Sequence, residues 1–244
     1  MTTDLLVARA LTRRYGSLTA VDRVDLRVNA GERHALIGPN GAGKTTLLDL
    51  VGGATRPDGG RLHLAGRDIT RLGPARRSRL GIGRIHQRPA VWPSLTALDN
   101  VIVAALPHRR VGPGRFHSRV RRPCLALLDE VGLTGGGTEA AAHLSHGQRR
   151  QLELAMALAG RPRLLLLDEP AAGLSAVEVH RLVDLLSSLP RTVAVLLVEH
   201  RLDLVYRLAD RVTVLSDGRP VATGTPDEIR RSAAVRRAYA EAVG

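Results

Sequence analysis

Lys44 is the only lysine in a 244-residue chain with 36 basic side chains, and it stands inside Gly38-Pro39-Asn40-Gly41-Ala42-Gly43-Lys44-Thr45-Thr46. This run fits G-x4-G-K-S/T, whose glycines let successive backbone N–H groups turn inward around a polyphosphate. The helical pattern that follows adds its positive dipole end. Lys44 suits the β- and γ-phosphates as a compact cation on a flexible stem, whereas the planar fork of arginine does not fit such a loop. The Thr45 hydroxyl is expected on Mg2+.

Two adjacent carboxylates, Asp168 and Glu169, close the run Leu164-Leu165-Leu166-Leu167-Asp168-Glu169-Pro170. Buried charges need a partner, and a cation is the natural one. Asp168 is expected to hold Mg2+ through water, and Glu169 to polarise the water that attacks the γ-phosphate. A plain strand-end acid pair is the alternative. His200 ends the next apolar run, where it either binds the γ-phosphate and the attacking water or is structural. Ser145-His146-Gly147-Gln148 opens a further helical pattern, with Ser145 and Gln148 spaced as a capping box. A capped helix start with a glycine at its mouth can also receive a phosphate.

The elements that must hold these groups alternate between strand and helix patterns. Strands are expected at Arg33–Gly38, Leu164–Asp168 and Thr192–Val198; the last two lack polar alternation, as in central parallel strands covered on both faces. Gly38, Asp168, Glu169 and His200 then lie past the carboxyl ends of three strands, on one edge of an open sheet. Residues 1–30 and 61–70 alternate like an antiparallel β flap. Residues 89–145 read as an inserted helical lobe, with helices at Thr96–Leu106 and about Leu125–Val131 and a Gly/Pro/Arg loop from Pro107 to Pro123. A single α/β domain spanning 1–244 is expected, with the remaining residues as nucleotide-binding core.

Composition narrows the classes further. With 44% apolar and 24% charged residues the chain is globular rather than disordered. Its longest apolar runs, Val101–Leu106 and Val193–Val198, fall well short of the roughly 20 residues of a spanning helix. The opening Met1-Thr2-Thr3-Asp4 lacks a basic stretch with an apolar core behind it, so no export signal is expected. Cys124 is the only cysteine, which excludes an internal disulfide and fits a reducing compartment.

Taken in order, Gly38–Thr46, Leu144–Gln148 and Leu164–Glu169 resemble the P-loop, signature and acidic strand of the ATP-binding cassette of ABC transporters, over nearly the whole chain. The resemblance implies a P-loop NTPase fold with a wound, mostly parallel sheet, and an Mg2+-dependent ATPase. It further implies that His200 is the switch histidine, that Tyr15 stacks on adenine, and that Gln87 is the lid glutamine that touches Mg2+. The signature of one subunit, Ser145 to Gln148, closes over ATP held by another, giving a homodimer or a heterodimer with a paralogue.

Asp168–Ser175, Val198–His200 and Gly224–Ile229 are similar to the ATPase subunits of branched-chain amino-acid and urea importers. That implies separate membrane permease subunits, a substrate-binding protein acting indirectly, and a peripheral place on the cytoplasmic face of the membrane. His86, His146 and Ser175 depart from that pattern without removing a phosphate or metal ligand. Tyr15 also reads, without the resemblance, as a cap on the flap.

The net charge of +13 is concentrated. Between Arg71 and Arg122 stand twelve arginines and one acid, Asp99, so 12 minus 1 gives +11. The segment is either a face for anionic lipid beside the permease or simply a solvated surface. A soluble ABC-type ATPase acting on RNA, ribosomes or DNA is the second functional class, supported by this charge. No nucleic acid is expected under the transporter reading.

Overall fold

The computed structural model describes residues 4–85, 91–108 and 117–241. β1 (Asp4–Tyr15) and β2 (Leu18–Asn29) form a long hairpin, after which β3 (Arg33–Ile37) enters the core and α1 (Lys44–Gly52) follows. β4 (Gly59–Leu64) and β5 (Arg67–Asp68) rejoin the hairpin, and α2 (Pro74–Arg79) leads to β6 (Ile82–Ile85). Next come α3 (Ala97–Ala105), α4 (Arg122–Glu130), α5 (His146–Ala159), β7 (Leu164–Asp168), α6 (Ala176–Ser188), β8 (Ala194–Val198) and α7 (Leu202–Leu208). β9 (Arg211–Ser216), β10 (Arg219–Gly224), α8 (Pro226–Arg231) and α9 (Ala233–Glu241) complete the described chain.

Two sheets result. One is antiparallel in the order β2-β1-β4-β5, and the other runs β10-β9-β3-β8-β7-β6 with every neighbour parallel except the β10/β9 pair. Strands covered on both faces need no polar alternation, and β7 shows why. Leu164 and Leu166 pack with Leu47, Leu48 and Val51 of α1 and with Leu6, Leu11 and Val28 of the antiparallel sheet, so α1 is held between the two sheets. Leu165 and Leu167 face the opposite layer, with Leu152 and Ala155 of α5 and Leu186 of α6. Each such leucine contributes about 1.5–3 kcal/mol on burial.

α3 and α4 share that second layer through Leu98, Val101, Cys124 and Leu128. The stretch from Pro107 to Pro123 is not one loop. Leu106–His108 forms a 3-10 turn, His117–Arg121 a π turn, and α4 starts at Arg122 with Pro123 in its first turn. Proline has no N–H to lose at that position and its φ is already helical, so it opens the helix. Residues 109–116 of this stretch lie outside the described residues.

Arg77 and Arg84 are not surface charges, which corrects the reading of all twelve arginines as one solvated or lipid-facing segment. The Arg77 guanidinium is buried, and it donates to the carbonyls of Leu50, Val51 (2.7 Å), Leu72 (2.8 Å) and Thr70 (3.1 Å). Burial lowers its pKa to about 10, still well above neutrality. It terminates α1 by occupying carbonyls that the helix leaves unpaired. Arg77→Met should therefore lower Tm by at least about 5 °C, since the two fully buried carbonyls, Leu50 and Val51, each cost roughly 1–3 kcal/mol when stranded. A calorimetric Tm within 1–2 °C of the parent, on that scale, would refute this role.

Candidate functional site

The chain leaves β3 at Ile37 and turns through Gly38–Gly43 before α1. Gly43 has φ 94°, and a Cβ there would stand 2.1 Å from the Ala20 carbonyl oxygen, so only glycine fits. β2 is thereby pressed against the loop. Gly218 N donates to Ala42 O (3.2 Å) and Asp22 N to Gly218 O (2.9 Å), bracing it from the β9–β10 turn as well. α1 has neither a side-chain cap nor an acid in its first turn, whereas α3, α5, α6 and α8 all begin on a Ser or Thr cap. Its free N–H groups are thus left for an outside anion. Lys44 is buried, with Nζ donating to Gly38 O (2.8 Å) and Pro39 O (2.7 Å). Burial lowers its pKa, and the negative charges of Glu169 and Asp168 oppose that shift.

β3, β8 and β7 are adjacent and parallel, so Gly38, His200, Asp168 and Glu169 come to one sheet edge as the spacing predicts. Asp168 is buried, which pushes its pKa up, while Arg84 pulls it down. The Arg84 Nη2 lies 2.6 Å from Asp49 and 3.8 Å from Asp168, lodged between α1 and the end of β7. Glu169 sits at φ 46°, rare for a residue with a side chain and a sign of imposed geometry. Its N–H donates to Val198 O (2.9 Å), and its carboxylate meets His200 Nε2 at 2.8 Å. Both side chains are partly exposed, at 24% for Glu169 and 40% for His200.

α5 opens at the expected capping box. Ser145 Oγ accepts from Gln148 N (3.2 Å), and Gln148 Oε1 from Ser145 N (2.8 Å). Gly147 lies against Glu178 at the start of α6, where a Cβ would come within 2.2 Å of its carboxylate. His146 Nε2 is 3.3 Å from Ala172 O. The mouth of α5 thus rests on the segment just after Glu169.

The family model for the ABC transporter matches residues 21–172, a span from β2 through the P-loop, α5 and β7 to the turn after Glu169. The chain belongs to the ABC transporter family. As an ATP-binding subunit of this family it binds and hydrolyses ATP. It is 44% identical over 98% of its length to a sulfate/thiosulfate import ATP-binding protein of Chromobacterium violaceum, of which it spans 63%. It is 38% identical to the high-affinity branched-chain amino acid transport ATP-binding protein BraF of Pseudomonas aeruginosa, with 98% of both chains covered. A crystal structure of an ATP-binding cassette of an ABC transporter, in its ADP conformation, superposes with a TM-score of 0.86. That match is at 26% identity over 98% of this chain and 99% of that one.

In the cassette Tyr15 ends β1 opposite Leu18, is 46% exposed, and carries the Arg13 guanidinium 4.6 Å from its ring centroid. Gln87 and His86 lie outside the described residues. Two groups escaped the sequence reading. Glu199 is buried, and its Oε1 accepts from Ala171 N (3.0 Å) while its Oε2 accepts from His200 N (3.0 Å) and Arg201 N (3.3 Å). Arg150 of α5 donates to Pro170 O (3.0 Å) and Glu169 O (3.1 Å) from the other side. A carboxylate directly before His200 was the only signal for the first; nothing set Arg150 apart from 34 other arginines.

Proposed function

We propose that this cassette is the motor subunit of an importer for branched-chain amino acids or related amides, driving a separate permease from the cytoplasmic face of the membrane. The observation that carries the ATPase part is the Glu169–His200 pair at 2.8 Å on the same strand edge as the Lys44 loop. Gly38 to Thr46 cradle the triphosphate, with Lys44 on its β- and γ-oxygens, and Tyr15 stacks on adenine. Glu169 takes up the proton of the attacking water, and His200 holds Glu169 and the γ-phosphate in register.

Thr45 and Asp168 offer Mg2+ a hydroxyl and a carboxylate, with Gln87 as a third donor. No group of three or more His, Cys, Asp or Glu among the described residues could hold a metal alone. That donor set suits Mg2+, which uses one or two carboxylates together with water and substrate phosphates. When bound, it neutralises charge on the β- and γ-oxygens.

Ser145, His146, Gly147 and Gln148 close on the nucleotide of a second cassette, either a copy or a paralogue. The permease meets the helical lobe, where Val103 and Leu106 are exposed. No helix among the described residues is long and apolar enough to cross a membrane. A substrate-binding protein acts only through that permease.

The cargo assignment rests on the identity to BraF along both chains, while the sulfate relative sets the competing outcome. Proteoliposomes holding a branched-chain amino-acid permease should show leucine-stimulated ATP turnover when this subunit is added. Stimulation by sulfate with a sulfate permease, and none by leucine, would overturn the cargo. Turnover stimulated by RNA without any permease would instead favour the soluble class, to which the +13 charge lends weight.

A further inference from the structure

We propose that Glu199 is a positioning residue for hydrolysis: its two carboxylate oxygens strap the Glu169 loop and the His200 turn together, holding the catalytic pair at contact distance. The inference rests on the ATPase reading above and adds a residue to it.

The division of labour within the carboxylate is what points to this role. Oε1 receives the Ala171 N–H, two residues after Glu169, and Oε2 receives the N–H groups of His200 and Arg201. All three donors are main-chain groups, and the two oxygens serve different strands' ends. Bonds of 3.0, 3.0 and 3.3 Å thus tie three main-chain groups to one buried side chain, so their relative positions are set by a single group. Glu199 N itself is tied to Leu36 O (3.4 Å) and Glu169 N to Val198 O (2.9 Å), so β3, β8 and the turn after β7 are stitched at one level.

On the far side of the loop Arg150 grips the carbonyls of Glu169 and Pro170 while pairing with Glu153 at 2.7 Å. The segment after Glu169 therefore hangs between a carboxylate that takes its N–H and a guanidinium that takes its carbonyls. The carboxylate also holds the main chain of the histidine. Glu199 thereby links the two turns that carry the reacting side chains, through main-chain groups.

An isosteric amide keeps the volume but presents one NH2 edge to N–H donors, so it loses at least one of the three bonds and repels its former partner. Glu199→Gln in the full chain should lower kcat about tenfold, the loss expected when one or two such bonds no longer orient the pair. MgATP affinity, measured by equilibrium fluorescence, should stay within about twofold because the Lys44 loop is untouched.

A purely structural role is separated from this one by a double-mutant cycle. In a His200→Ala background the same substitution should cost less than about twofold, since the partner that Glu199 positions is already gone. Equal losses in both backgrounds, or an unchanged kcat in the single variant, would overturn the proposal. Should the amide variant fail to fold, Glu199→Asp retains the charge on a shorter arm and is carried through the same cycle with the same reading. An unmodified chain that fails to turn over ATP would count against the ATPase reading; an active parent with an equally active variant counts against Glu199 alone.

Discussion

Glu169→Gln should leave MgATP bound and stop its turnover, lowering kcat by about 10²–10⁴, the range that a positioned general base supplies. The backbone of this residue does not depend on its carboxylate. Its φ of 46° is held by the bond from its N–H to Val198 O and by Arg150 on its carbonyl, both of which the amide retains. The side chain also keeps an atom able to face His200 Nε2. What is lost is the capacity to accept a proton from water. Because the nucleotide is then not consumed, two cassettes should remain closed around it and elute as a dimer in saturating MgATP. A monomer under those conditions would refute the shared-nucleotide arrangement.

Lys44→Ala should act one step earlier, at binding. The ammonium is already desolvated and held on Gly38 O and Pro39 O, so no reorganisation of the loop is needed before it meets a triphosphate. Its loss removes the one N–H that those carbonyls leave for phosphate, a charge-assisted bond of up to about 3 kcal/mol, which weakens ATP roughly a hundredfold. Lys44→Arg should not restore affinity. The guanidinium needs planar space, and the loop is closed by β2, where Ala20 O stands against Gly43, and by the bond from Gly218 N to Ala42 O. Equilibrium binding of a fluorescent ATP analogue measures both variants, and wild-type affinity in either would contradict the role given to this residue.

What could be read from the sequence was local in the chain. The Ser145–Gln148 box, the Gly38–Thr46 loop and the strand from Leu164 to Asp168 are each decided by residues within a few positions of one another. Placing Asp168, Glu169 and His200 together needed only the rule that parallel strands present their carboxyl ends on one edge.

Glu199, Arg150, Arg77 and Arg84 were illegible for the opposite reason. Glu199 bonds to residue 171, Arg150 to 169 and 170, and Arg77 to 50 and 51, while Arg84 forms ion pairs with 49 and 168. No spacing rule reaches so far. In a chain whose basic residues are nearly all arginine, residue type gave no hint of which ones are buried. Pro123 misled in a different manner, because proline both ends loops and begins helices, and only the tertiary packing of Cys124 and Leu128 decides between them.

The solitary, buried Lys44 has a chemical corollary. Apart from the α-amine, the chain offers amine-directed reagents a single primary amine, and that nitrogen is the one assigned to the triphosphate. Stable amide mass added to the peptide containing it would therefore gauge how many copies stand empty, with no engineered label.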